Sequence, residues 1–230
     1  MANFNTHVTI AAAGSGLLSV LCLQVGMVDH TEALILALLG TIGGILPDID
    51  LEHAYPSRIM FALFAIMGAF LVVFATENNL SILELWGVGL VTFAIIRFPV
   101  WMLFHEYTHH RGSIHTIVAG LFFMFATAAF GYRVMAKDPF TSWLMGLFVF
   151  LGFILHLCLD EFYSVDFMNN RVKKSFGTAL KILDWRRLDK STALVVVTIL
   201  AWALTPKSAN FWDTLFSLDT YRIIGSRFLR

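Results

Sequence analysis

The chain has 230 residues, 58% of them hydrophobic and 14% charged, with 16 Lys and Arg against 16 Asp and Glu. Soluble domains hold about 45–50% apolar and about 25% charged residues, so at a mean hydropathy of +0.75 the excess must face something other than water. This composition excludes disordered, collagen-like and disulfide-rich secreted chains, and the zero net charge gives no electrostatic case for nucleic acid.

A spanning helix needs about 20 mostly apolar residues. The opening MANFNTHVTI holds no Lys or Arg, unlike a secretory signal, so the run Val8–Gly26 reads as a retained span with His7 at its start. Ala33–Leu46 follows, short and closed by Pro47, with Thr31 and Glu32 as its expected helix start. Ile59–Ala75, Leu80–Phe104 with Arg97 and Pro99 inside it, His115–Tyr132 and Phe140–Leu159 are the next candidates. Ala193–Leu204, begun near Ser191, is a seventh at the lower limit of length. Cys22 and Cys158 sit in apolar runs and read as packing residues. The expected fold is all-α, a polytopic membrane helix bundle of about six or seven spans. Residues 1–160 would form the bundle that carries the site. Residues 161–230 would hold a basic cytoplasmic loop, the last candidate span and a tail from Pro206 that reads as an interfacial amphipathic helix or a frayed end.

Alternation of the first six spans sorts the polar residues. One side of the membrane receives His7, Asp48, Asp50, His53, His105, Glu106, His109, His110, His115, His156 and Asp160, so 7 of the 8 histidines share it and only His30 does not. The same side receives 10 of the 16 Lys and Arg residues, which makes it the expected cytoplasmic face.

Ionisable groups in or beside a span are costly and mark candidate sites. Asp48 and Asp50, one residue apart after Pro47, can bind a divalent cation or form an ordinary Pro-Asp turn. Ala12 and Gly16, and Gly40 and Gly44, have the small-xxx-small spacing that lets helices approach closely. The segment His105-Glu106-Tyr107-Thr108-His109 is a literal His-Glu-x-x-His, which on a helix would place two zinc ligands beside a carboxylate base. His115 opens the next span, whose free backbone N–H groups would suit an anion. Arg111 could clamp phosphate oxygens or anchor the cytoplasmic side. His156 and Asp160, at i and i+4, share a helix face. His and Asp donors without Cys favour zinc, then manganese or iron, over calcium.

The order His7, then Pro47-Asp48-Ile49-Asp50, then His110-Arg111-Gly112-Ser113-Ile114-His115-Thr116, then His156-x-x-x-Asp160 resembles the YdjM-like family of predicted inner-membrane metal-dependent hydrolases. The four blocks run from the first expected span to the sixth and leave the last third of the chain unmatched. Ile114 and Thr116 stand where the family pattern has Thr and Ser, the usual Gly/Pro stretch after the last Asp is replaced by Glu161-Phe162-Tyr163-Ser164, and the long gap from Asp50 to His110 holds two extra expected spans. More distantly, the His/Asp order is similar to the zinc-dependent phospholipase C fold, which implies phosphoester chemistry.

The resemblance implies a metal-dependent hydrolase of the inner (cytoplasmic) membrane, acting on a phosphoester in a lipid or lipid-linked substrate among the membrane lipids. His7, Asp48, Asp50, His110, His115, His156 and Asp160 would be the metal ligands, Glu106 or Asp50 would take a proton, and Arg111 would stabilise charge. The competing expectations are an intramembrane zinc metalloprotease using His105, Glu106 and His109 with Asp160 as third ligand, and a non-catalytic metal-binding membrane protein.

Overall fold

The computed structural model describes residues 3–50, 55–77, 80–107, 112–166, 171–172 and 180–227. Of the residues singled out from the sequence, His53, His109, His110 and Arg111 lie outside them. In chain order the helices are α1 (Phe4–Gln24), α2 (His30–Gly43), α3 (Tyr55–Thr76), α4 (Ile82–Ile95), α5 (Trp101–Tyr107), α6 (Ile117–Arg133), α7 (Pro139–Phe162), α8 (Leu188–Ala203), α9 (Ala209–Leu215) and α10 (Leu218–Arg227). A 3-10 turn, Leu46–Asp50, follows α2, and a π-helical segment, Ile96–Val100, joins α4 to α5. Apart from a two-residue antiparallel pair, Val165–Asp166 with Arg171–Val172, and an isolated bridge, the described residues are all-α.

Among the described residues, four helices are long and apolar enough to cross a membrane: Phe4–Gln24, Ser57–Thr76, Ile82–Glu106 and Pro139–Phe162. His30–Gly43 and Ile117–Arg133 are shorter apolar helices. Both fall below the ~20 residues that a full crossing takes, and so does α8 at 16 residues.

Helix ends extend beyond the apolar runs because a hydrogen-bond ladder continues through polar turns that hydropathy does not register. Asn3 caps α1, its side chain accepting from Thr6 N–H at 2.8 Å, so His7 lies inside the helix and not before it. At α2 the expected start at Thr31 and Glu32 gives way to a capping box. Asp29 accepts from Glu32 N–H at 2.7 Å, and Glu32 accepts in return from Asp29 N–H. In α8, Ser191 is an interior residue whose hydroxyl donates to the Asp184 carbonyl at 2.8 Å.

The chain divides into two compact units, Met1–Pro47 with Arg111–Arg230, and Asp48–His110. In the first, α1, α2 and α7 pack on one another, and α6 packs on α7 and α8. The buried stripe of α1 is His7, Ala11, Ser15, Ser19 and Cys22, which is helical periodicity. The expected contact through Ala12 and Gly16 is therefore displaced by one residue: Ala12 is exposed, and nothing lies within 4 Å of where a Gly16 Cβ would stand. Gly40 and Gly44 do make the close approach. A Cβ at either would collide with Ser15 or Ala11 of α1, and one at Gly43 with the Val149 backbone of α7. The tail is docked, not frayed: Phe211 of α9 is buried and stacks on Trp143 of α7 at 5.9 Å, while the Trp143 indole N–H donates to the Pro206 carbonyl at 3.0 Å.

In the second unit α3 packs along α4 and the π-helical segment. Pro99 has no N–H to return to the carbonyl four residues back, and the ladder widens to the π form there.

Candidate metal centre

The stripe that buries α1 against its neighbours ends at His7, and the buried face of α7 ends with Gly152, Phe153, His156, Leu157 and Asp160. Their packing brings three donors together. One ligand atom each from His7, His156 and Asp160 lies within 4.8 Å of the other two, and all three residues are buried. His7 Nε2 is 3.3 Å from Asp160 Oδ1, and His156 Nε2 is 3.9 Å from Asp160 Oδ2. The His7 and His156 rings stack with centroids 3.7 Å apart, and the His115 ring meets that of His156 edge-on at 5.9 Å.

The orientation of His156 comes from a group that sequence reading missed. Its Nδ1 lies 2.8 Å from the carbonyl of Gly44, the residue that ends α2. A carbonyl only accepts, so Nδ1 carries the proton and Nε2 turns its lone pair toward Asp160. A backbone carbonyl leaves no mark in a sequence. The available signal is Gly40-x-x-Gly43-Gly44, whose small residues allow a neighbouring helix to come close.

His115 is held by its neighbours. Thr116 caps α6, accepting from Ala119 N–H at 3.2 Å, while its hydroxyl donates to the Ser113 carbonyl at 2.7 Å. The free N–H groups expected at this helix start are taken. Ile117 N–H donates to the Lys181 carbonyl at 3.0 Å and Val118 N–H to that of Ile182 at 3.4 Å, so the segment after α7 returns to close the α6 end that was expected to bind an anion.

The donor set fits a divalent ion. His7 Nδ1 and both oxygens of Asp160 are buried without a hydrogen bond among the described residues, although a carboxylate withdrawn from water needs compensation. Two ligands at about 2.0–2.2 Å from one tetrahedral zinc stand roughly 3.3–3.6 Å apart, which the His7–Asp160 separation of 3.3 Å matches. Neither cysteine takes part: Cys22 is a buried free thiol and Cys158 a half-buried one.

Of the remaining site candidates, the described ones, Asp48, Asp50 and Glu106, belong to the second unit. Asp48 and Asp50, both buried, stand on the turn Leu46–Asp50. Glu106 is exposed near the end of α5. His105 uses both nitrogens within this unit, with Nδ1 2.8 Å from the Trp101 carbonyl and Nε2 2.9 Å from Ser57 Oγ. The Trp101 indole N–H donates to Ser57 Oγ at 3.3 Å, which closes a ring of satisfied polar groups around buried Ser57.

The helices and the buried cluster define an all-helical membrane protein with a candidate metal centre. The model of one protein family, described as YdjM inner membrane protein, matches residues 1–171, well over half of the chain. The chain belongs to that family, and the matched region takes in His7, His156 and Asp160. No curated protein and no solved structure matches the chain.

Proposed function

We propose that this protein is an integral-membrane metal-dependent hydrolase acting on a phosphoester in a lipid or lipid-linked substrate, with His7, His156 and Asp160 as ligands of a divalent ion, zinc first. The observation that carries the reading is the buried convergence of two imidazoles and a carboxylate, with one donor atom from each within 4.8 Å of the others. A bound zinc would lower the pKa of its water to about 7, which would supply hydroxide at neutral pH. Within the chain, Gly44 fixes the tautomer of His156, and the walls of α1, α2 and α7 keep bulk water from the donors. The wider set read from the sequence is part of the same proposal and rests on the motif pattern: Asp48, Asp50, His110 and His115 as ligands, Asp50 or Glu106 in proton transfer, and Arg111 on substrate charge. In this reading α2 and α6 complete six spans, and the bias of basic residues places the N-terminus and the site on the cytoplasmic side.

The metalloprotease alternative would require His105 to give up Ser57, and those occupied nitrogens weigh against it. The deciding experiment measures metal in detergent-purified wild type, His156→Ala and Asp160→Ala, followed by hydrolysis of phospholipid and peptide substrates. Wild type is expected to retain metal and both variants to lose it, with phosphoester turnover abolished by His156→Ala and reduced less by Glu106→Gln. Unchanged metal in both variants defeats the ligand assignment, and the reverse ranking on a peptide substrate favours the protease.

A further inference from the structure

Arg97 is a charge inside an apolar helix. The continuous stretch Ile82–Glu106 has 25 residues, a length of ~37 Å at 1.5 Å per residue, which exceeds the ~30 Å hydrocarbon layer. Arg97 stands nine positions before Glu106 and fifteen after Ile82, so it lies ~13 Å from the nearer end. With the helix centred in the bilayer, this is ~10 Å below the hydrocarbon boundary, deeper than the helix-end arginines whose stems reach water directly.

The guanidinium has no ion pair and no hydrogen bond among the described residues. Its contacts are ring faces: its central carbon lies 5.6 Å from the Phe98 centroid and 6.0 Å from that of Trp101. Those faces attract a cation but accept none of its five N–H donors in the way an oxygen would. Trp101 is itself fixed, since its indole N–H is bonded to Ser57. It lies four residues nearer the Glu106 end, so the guanidinium is inclined toward the closer membrane surface. The bend that presents it is the π-helical segment at Pro99, a distortion that occurs frequently at functional sites. Arg97 is half-buried, and Ile95, Phe98, Val100, Met102 and Leu103, spread round the same turns of the helix, are exposed and apolar, which makes lipid the phase that surrounds this part of it.

We propose that Arg97, held against Phe98 and Trp101 at the π-helical bend, is a binding site for the phosphate of an anionic membrane phospholipid. A planar fork of donors matches phosphate oxygens bidentately. A headgroup drawn in by local thinning of the bilayer brings a negative charge that no described residue provides. The site lies within the second unit and stands whether or not the hydrolase reading holds.

The test reconstitutes the full chain into nanodiscs of equal phosphatidylglycerol and phosphatidylcholine, then counts the lipids that survive gentle release by native mass spectrometry. Wild type is expected to retain phosphatidylglycerol in preference to phosphatidylcholine. Arg97→Gln lowers the apparent affinity about tenfold, and Arg97→Lys, which keeps charge without the fork, about threefold. Arg222→Gln, on the exposed face of α10, leaves retention unchanged, and millimolar inorganic phosphate does not displace the lipid. Wild-type retention in either Arg97 variant overturns the proposal, so Arg97→Lys decides if Arg97→Gln fails to fold. Displacement by inorganic phosphate reassigns the site to free anions and also overturns it, as does an equal loss in Arg222→Gln.

Discussion

Replacing Gly152 by Ala should damage the candidate metal centre without touching a ligand. Gly152 lies one helical turn before His156, where α7 meets the backbone of α2. A Cβ at this position would stand 2.9 Å from both Gly40 C and Gly44 N, and closer still to the Gly40 carbonyl oxygen, where ordinary contact begins at 3.4 Å. Backbone cannot rotate aside, so the Gly40 carbonyl oxygen, the closest of these atoms, sets the shift, and α2 and α7 must separate by more than ~1 Å. Added to the 2.8 Å between His156 Nδ1 and the Gly44 carbonyl, that gives ~4 Å, well outside the usual 2.7–3.2 Å range for N–H···O bonds. Overpacking of this kind costs about 1–3 kcal/mol. Losing the partner that orients a metal-binding histidine costs about 10–100-fold in affinity, and a bond pulled fully apart belongs toward the upper end. Titration against a competing chelator is therefore expected to show zinc binding weakened toward about 100-fold in Gly152→Ala, together with a lower midpoint of thermal unfolding in detergent. Gly16→Ala is the control. Nothing lies within 4 Å of the added methyl, so metal affinity should stay and helix propensity should add up to about 1 kcal/mol. Wild-type zinc affinity in Gly152→Ala would refute the dependence of His156 on the α2–α7 approach.

Two further substitutions probe helix caps. Asp138 caps α7: burial alone would raise its carboxyl, but hydrogen bonds from the Thr141 hydroxyl and from the Thr141 and Phe140 N–H groups hold it below the usual aspartate range. A depressed carboxyl stabilises the fold above its unfolded pKa of about 3.9, and that contribution is lost as pH falls through the folded value. Asp138→Ala should cost about 1 kcal/mol at pH 7, with its deficit in melting temperature against wild type shrinking below about pH 4; a gap constant with pH would contradict this. At α6, Thr116→Ser keeps the hydroxyl that caps the helix and should match wild type in melting temperature, whereas Thr116→Ala should lose about 1 kcal/mol and loosen the support of His115. Equal melting of the two variants would show that the cap is idle.

Much of this architecture was legible in the sequence because apolar runs and helical periodicity are local. The boundaries missed by a few residues at α1, α2 and α8 are the polar first turns, where capping by Asn3 or Asp29, or continuation through Leu188-Asp189-Lys190, extends the ladder beyond the greasy stretch. His156 and Asp160 could be paired from their spacing, and His7 joined them through the order of motifs. Its place on the stripe with Ala11 and Ser15 became visible only when the helix began at Phe4. The approach of α1 to α2 was anticipated with the wrong face of α1, because a small-xxx-small pattern gives a spacing but not a rotation. Ala11 and Ser15 are the residues that meet Gly44 and Gly40. The α6 start was read as open because the strand-like return at Lys181 and Ile182 comes from a segment more than sixty residues away. The family's Ser is Thr at position 116, and the hydroxyl that survives the change is the one that caps α6. Ile114, which lacks one, is buried.

Burial separates the two charge problems that this apolar chain carries. Asp160 is sealed among protein groups at 0% exposure, beside two imidazoles whose donor atoms converge on it. Its nearest partner is the His7 imidazole at 3.3 Å, and a cation held among these donors would balance its charge. Arg97 stands on a helix whose neighbouring side chains face outward, where a headgroup can arrive from the bilayer and a buried counter-charge is absent among the described residues. A carboxylate inside the packing of α1, α2 and α7 and a half-buried guanidinium on a helix with exposed apolar side chains therefore call for different partners, and the two dependences should separate experimentally. Chelation should act through Asp160 and leave lipid retention intact, while delipidation should act through Arg97 and leave bound metal in place. Loss of both under either treatment would mean that the two charges are coupled in a way their surroundings do not suggest.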